Sequence, residues 1–168
     1  MSSTNDCPCG SGAPYARCCG PLHRGEREAA DAEALMRSRY AAFAKKEAGY
    51  LWRTLHPDHD DRARPKAEVT RGIKASAGTL RYMGLAILDR RAPDADGIAR
   101  VLFLARVFEK GRDRSFVELS DFAHDGEGWR YLQGEGAPVG QIQGDPRALT
   151  IDAFEAQVRG RDRAGSRP

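Results

Sequence analysis

From Asp31 onward, Met36, Tyr40 and Phe43 fall three or four positions apart, the spacing of one helical face. Asp31 is a good N-cap, Glu33 suits the first turn, Lys45 and Lys46 suit the last, and Gly49 can stop the helix. "YLWRTLHP" predicts a second short helix ended by Pro57, "DHDDRARP" a charged loop, and "KAEVTRGIKASAG" a weaker helix ending near Gly78. The apolar period then shortens to two. "LRYMGLAILDR", with a bulge expected at Gly84, "IARVLFLARVFEK", "RSFVELSDFAH" and "WRYLQG" read as strands, separated by turns at "PDADG", "GRD" and "DGEG". The second is the most hydrophobic and is expected at the centre of the sheet. Beyond Gly134 the chain is rich in Gly, Pro and Gln, then offers a weak helix around "ALTIDAFEAQV". Helices followed by an antiparallel meander predict an α+β fold. A curved sheet wrapping those helices is expected to bury Tyr40, Phe43, Leu51, Trp52, Leu102, Phe103 and Leu119.

The chain has 168 residues, 40% hydrophobic and 30% charged, which suits one globular domain with a small appendage. A net charge of +3 is too small to argue nucleic-acid binding by itself. The local basic excess is the terminal "RGRDRAGSRP", read as a mobile arginine-rich tail. No run of about 18 apolar residues exists to span a membrane, and "MSSTND" lacks the apolar core of a secretory signal. A cytoplasmic location with reduced thiols is therefore expected.

All four cysteines, Cys7, Cys9, Cys18 and Cys19, lie in "CPCGSGAPYARCCG". C-x-C and C-C pairs can supply four thiolates to one tetrahedral Zn²⁺. Gly10, Ser11 and Gly12 permit the tight turn after the first pair, and Gly20-Pro21 permits the bend that consecutive cysteines need to converge. Arg17 and Arg24 are placed to offset the resulting negative charge. Metal binding would replace the core that so short a segment lacks, and four protein ligands would make the ion structural. Set against zinc are disulfides, disfavoured by a reducing compartment and the short C-x-C spacing, and an iron–sulfur cluster, which uses wider spacings. His23 is a substitute ligand to consider.

The same stretch resembles the SEC-C motif found in the preprotein translocase ATPase SecA, including Ser11, Gly12, Tyr15 and Arg17. The following "LMRSRYAAFAKKEAGYLWRTLHP" resembles the central domain of the YchJ family. The resemblance implies a zinc-binding motif over 1–24 with Cys7, Cys9, Cys18 and Cys19 as ligands of one structural Zn²⁺. It implies a cone-shaped nuclear transport factor 2-like (cystatin-like) domain over 28–135, helices packed on a curved antiparallel sheet. Residues 136–168 are then a C-terminal extension, partly disordered. Many relatives carry a second SEC-C motif at the C-terminus, but no cysteine follows Cys19 here.

Other residues carry two readings each. His56, Asp58, His59, Asp60 and Asp61 suit acid–base work or a second metal, or a solvated helix end. Arg37 and Arg39 suit an anion or a partner carboxylate, or the wet side of the first helix. Trp52 and Trp129 suit a ligand pocket or the core. Glu118, Asp121 and His124 alternate along the third strand, and sequence does not say which face each occupies.

Two function classes follow. The first is a zinc-binding adaptor that docks on protein-export or translation machinery, with the chaperone SecB or the ribosome as partners by resemblance, and with nucleic acid met only through the ribosome. The second is a small-molecule enzyme of isomerase, dehydratase or hydrolase type, holding a small ligand in the central cavity with His56, Asp58 or Asp121.

Overall fold

The structure, a computed structural model, describes residues 5–165, with side chains described as far as Arg161. Of the arginine-rich tail read as mobile, residues 159–165 are helical, and residues 166–168 lie outside the described residues. The elements are α1 (Gly20–His23), α2 (Ala32–Lys45), α3 (Ala48–Arg53), α4 (Lys66–Thr79), β1 (Leu80–Arg91), β2 (Ala99–Glu109), β3 (Arg112–Asp113), β4 (Phe116–His124), β5 (Trp129–Pro138) and α5 (Ile151–Gly165). The α+β order read from the sequence is the order observed. No helix among the described residues is long and apolar enough to cross a membrane.

Asp31 caps α2 as its position suggests, its Oδ1 accepting the Ala34 N–H at 2.7 Å. The helix stops at Lys46 rather than Gly49. Lys46 adopts φ 61, and the Lys46 and Glu47 amides bond back to the Phe43 and Ala42 carbonyls. Gly49 lies inside α3. The chain after α3 is stitched to β5: Tyr131 N–H donates to Thr54 O, and His56 N–H to Tyr131 O, both at 2.8 Å.

The sheet is antiparallel in the order β1-β2-β4-β5, with the short β3 folded back on β2. A register shift between Tyr82 and Gly84 places the expected bulge at Met83, which is pushed into solvent. The extra residue changes parity: Tyr82, Leu85 and Ile87 face one side, Ala86 and Leu88 the other.

Both sheet faces are covered. The inner face, with Val101, Phe103, Val107 and Phe122, packs under α2 and α3, against Leu35, Met36, Tyr40 and Leu51. The outer face, with Leu102, Leu104, Val117 and Leu119, packs under α5 through Ile151 and Phe154. Leu102 and Leu119 are thus buried as expected, but beneath the C-terminal helix instead of the N-terminal ones. Phe43 and Trp52 are only half-buried. Trp52 carries the Arg62 guanidinium 4.9 Å above its ring.

The "DGEG" turn holds a charged anchor. Arg130, buried, donates from Nε to Asp125 and from Nη1 to Glu28, both at 2.8 Å, tying the β4–β5 hairpin to the segment before α2. Burial alone pushes the Asp125 carboxyl up. The Gly128 and Glu127 amides and the Arg130 charge overcome this and hold it below the ordinary carboxylate range.

A folded-state value below the unfolded one contributes stability that is present above about pH 4 and lost as pH falls through the folded value. Acid titration of the urea midpoint is expected to show this loss, with a shallower slope in Asp125→Asn. Phe154→Ala is expected to cost about 3–5 kcal/mol in urea unfolding. A smaller loss than 1 kcal/mol, roughly that of a surface change, would mean α5 does not close the outer face.

Candidate functional site

The cysteine segment folds as two tight turns around its sulfurs. Cys7 N–H donates to Ala13 O at 2.8 Å, and Gly10 N–H to Cys7 O at 3.2 Å. Gly10 and Gly12 adopt φ 76 and 75, which glycine enters without steric penalty. A single helical turn at Tyr15–Arg17 leads into Cys18, and α1 opens immediately after Cys19. A Cβ at Gly20 would sit 2.8 Å from the Tyr15 carbonyl oxygen, so only glycine fits there without displacing backbone.

The four sulfurs lie within 4.8 Å of one another. Cys9 and Cys18 are 3.5 Å apart, Cys18 and Cys19 3.9 Å. Thiolates on a tetrahedral ion at about 2.3 Å stand about 3.8 Å apart, so the set fits one metal ion. No pair is bridged. Cys7, Cys9 and Cys19 are buried and Cys18 is half-buried, with Ser11 Oγ at 3.2 Å from its sulfur. Crowding of the thiols splits the acidities of Cys7, Cys9 and Cys19. Cys9 is held far below its ordinary value by the Cys19 and Cys7 thiols, while contacts with those same partners and burial raise Cys19. Contact with Cys19 works downward on Cys7, but the Cys9 sulfur and burial carry it up to about 11. A divalent cation would remove this competition by accepting all four as thiolates.

His23 is not part of the sulfur cluster. Its Nε2 lies 2.8 Å from Ser38 O, which can only accept, so Nε2 carries the proton and Nδ1 accepts from Tyr15 O–H at 2.7 Å. Burial lowers its pKa, more than the Ser38 carbonyl raises it. The ring stands 4.6 Å from Tyr50, and Leu22 beside it joins the main core. The knuckle is therefore bolted to α2 and α3, with Ala41 of α2 packed against the cysteines. Arg37 donates to Cys9 O and Arg27 to Cys18 O, both at 2.9 Å. These two arginines face the cluster, whereas Arg24 pairs with Glu26 at 2.6 Å. Their role was missed because their contacts span 28 and 9 residues of chain.

A second feature is a cavity of about 430 Å³ between the inner sheet face and α2 and α4. Arg39, for which the wet side of the first helix is one of two readings, is buried in its wall. The reason is that the loop after α3 and strand β5 close over that side of α2. Glu118 and Ser120 share this inner face. Asp121 points to the outer face, 3.2 Å from Arg100. His56 and Asp58 face each other at 3.6 Å outside the cavity, with Asp58 exposed. Of the residues named for acid–base work, His59, Asp61 and Glu118 line the cavity, while His56, Asp58 and Asp121 lie outside it. Neither tryptophan lines the cavity.

Comparison with known proteins identifies both parts. The YchJ middle NTF2-like domain matches residues 31–134 and the SEC-C motif residues 4–21. UPF0225 protein YchJ of Shigella dysenteriae is 39% identical over 128 residues, 76% of this chain and 81% of that protein. The chain belongs to the YchJ family. The solution structure of a SEC-C motif containing protein from Rhodopseudomonas palustris superposes with a TM-score of 0.67 at 34% identity, covering 77% of this chain and 97% of that one. The crystal structure of another, from Psychrobacter arcticus, shares the fold with a TM-score of 0.66 at 24% identity, over 88% and 92% of the two chains. The YchJ domain here is thus the NTF2-like α+β fold, and its cysteine cluster coincides with the SEC-C match.

Gly20→Ala is expected to disrupt the knuckle while sparing the YchJ domain, because the new methyl group meets backbone rather than a movable side chain. Hydrogen exchange read residue by residue should show lost protection at residues 7–23 with β2 and β4 unchanged; equal protection in both proteins would contradict the packing described.

Proposed function

We propose that Cys7, Cys9, Cys18 and Cys19 hold one structural Zn²⁺, and that the knuckle so ordered is a docking surface for a protein partner. The observation that carries this reading is the convergence of four sulfurs to the spacing of a tetrahedral thiolate site. An all-thiolate tetrahedral set suits zinc, and closure of the shell by four protein ligands leaves no position for a substrate. The ion's work is then to hold a shape. Four thiolates and one Zn²⁺ carry a net charge of −2, which Arg27 and Arg37 offset from outside.

The outward side of the knuckle is formed by Gly10, Ser11, Gly12, Ala16 and Arg17, all exposed. It offers backbone and one cation rather than an apolar patch, which favours a polar, acidic partner. The likeness of the motif to that of the translocase ATPase makes the chaperone SecB and the ribosome the partners to examine first.

Protein purified under reducing conditions is expected to contain one zinc per chain by elemental analysis. Cys9→Ser is expected to lose the metal and the protection of residues 7–23, and to lower the unfolding midpoint of a YchJ domain that remains folded. Metal-free wild-type protein would overturn the zinc assignment. SecB pulldown and ribosome co-sedimentation should retain the wild type and lose both Cys9→Ser and Arg17→Glu. Zinc-loaded protein retained by neither would refute the docking role while leaving the metal site standing.

A further inference from the structure

Besides His59 and Asp61, whose Oδ1 accepts from Arg64 at 2.9 Å, the cavity wall carries two opposite charges that do not meet, Arg39 and Glu118. Arg39 is only 8% exposed, and no carboxylate among the described residues lies within ion-pair distance of it. Its Nη1 donates to Leu51 O at 2.9 Å and Thr54 Oγ1 at 2.7 Å, while its other guanidinium nitrogens have no acceptor among the described residues. The guanidinium lies 4.6 Å from the centre of the Tyr131 ring. At the far end of the same side chain, Tyr131 O–H donates to Glu118 Oε1 at 3.2 Å, and Ser120 O–H donates to the same oxygen at 2.6 Å. Glu118 Oε2 takes no hydrogen bond among the described residues. One tyrosine thus separates a buried cation with free donors from a carboxylate with a free acceptor.

The backbone makes room for this arrangement. A Cβ at Gly134 would collide with the Glu118 carboxylate and the Tyr131 hydroxyl. Around the charges the walls are apolar, with Met36, Phe43, Ile73, Phe103 and Phe116, and Ser76 in the wall is exposed. Burial pushes Arg39 down to about 10, a cost the nearby Glu118 charge offsets only in part. A bridging water would satisfy hydrogen bonds but would leave both charges without a counter-ion.

We propose that this cavity binds a free α-amino acid with an aromatic or branched apolar side chain. The ligand's carboxylate pairs with Arg39, its ammonium group with Glu118, and its side chain with the phenylalanine wall. A plain carboxylate would leave Glu118 opposing it, and a plain amine would leave Arg39 unpaired, so a zwitterion is the charge pattern that suits both. The volume lies in the range of small-molecule sites, roughly 300–1,000 Å³. This site is independent of the cysteine knuckle.

The test is an amide-shift NMR titration of the intact chain with L-phenylalanine at millimolar concentration, beside 3-phenylpropanoate and phenethylamine, which each lack one charged group. Saturable shifts at Arg39, Phe103, Glu118 and Tyr131 are expected, with both analogues bound at least about tenfold more weakly. Glu118→Gln should weaken binding by about tenfold or more. Gly134→Ala, which re-aims the carboxylate without changing its charge, should also weaken it in a protein whose spectrum remains dispersed. Ser76→Trp, at an exposed wall position, should reduce binding by crowding the cavity. The proposal is overturned by absence of cavity shifts with L-phenylalanine, by equal binding of the three compounds, or by wild-type affinity in Glu118→Gln and Gly134→Ala.

Discussion

Strand β2 must be buried on both faces, and the fold is arranged around that demand. Val101, Leu102, Phe103, Leu104 and Ala105 are consecutive and all nearly inaccessible. A strand with one wet face would alternate; this one cannot, so each side needs its own cover. Pairing with β1 and β4 satisfies its backbone. Helices α2 and α3 then cover the inner face and α5 the outer, giving two separate hydrophobic clusters. Removing either cover would expose a continuous apolar surface, which is why the C-terminal helix belongs to the core as much as the N-terminal ones.

The knuckle is stabilised differently. It lacks apolar mass, and its interior is sulfur. What joins it to the domain is a polar chain of contacts, from Tyr15 through His23 to Ser38 and on to Tyr50, all short and mostly buried. The neutral histidine is central because it must accept on one nitrogen and donate on the other. A small unit oriented by directional hydrogen bonds keeps a fixed pose on the larger domain.

The inner face is not filled, and the reason is electrostatic. Arg39 and Glu118 are both carried into the space between helices and sheet, and apolar side chains cannot satisfy either. Each is held by neighbours on its own side, Arg39 by Leu51 and Thr54, Glu118 by Ser120 and Tyr131. They stay apart, and the gap persists as a cavity. On the outer face the polar residue pointing out of β4 is Asp121, which meets Arg100 at 3.2 Å.

Sequence alone determined the chemistry that is local. Four thiols close together, with glycines where left-handed turns are needed, identify a metal-type cluster without tertiary information. The Asp31 cap and the change of period from helix to strand placed α2 and the meander, because caps and periodicity act over one or two turns. The family resemblance extended this to the NTF2-like fold. Tertiary structure decided which charged residues went inside. The bulge at Met83 reversed the parity of β1, the face of Glu118 against Asp121 depended on strand pairing, and Arg39 became buried only when β5 and the loop after α3 closed over α2. Arg27 and Arg37 reached the cysteines by the same long-range folding. Burial is set by segments distant in the chain, and a one-residue change of register exchanges the two faces of a strand, so these assignments were beyond any reading of local pattern.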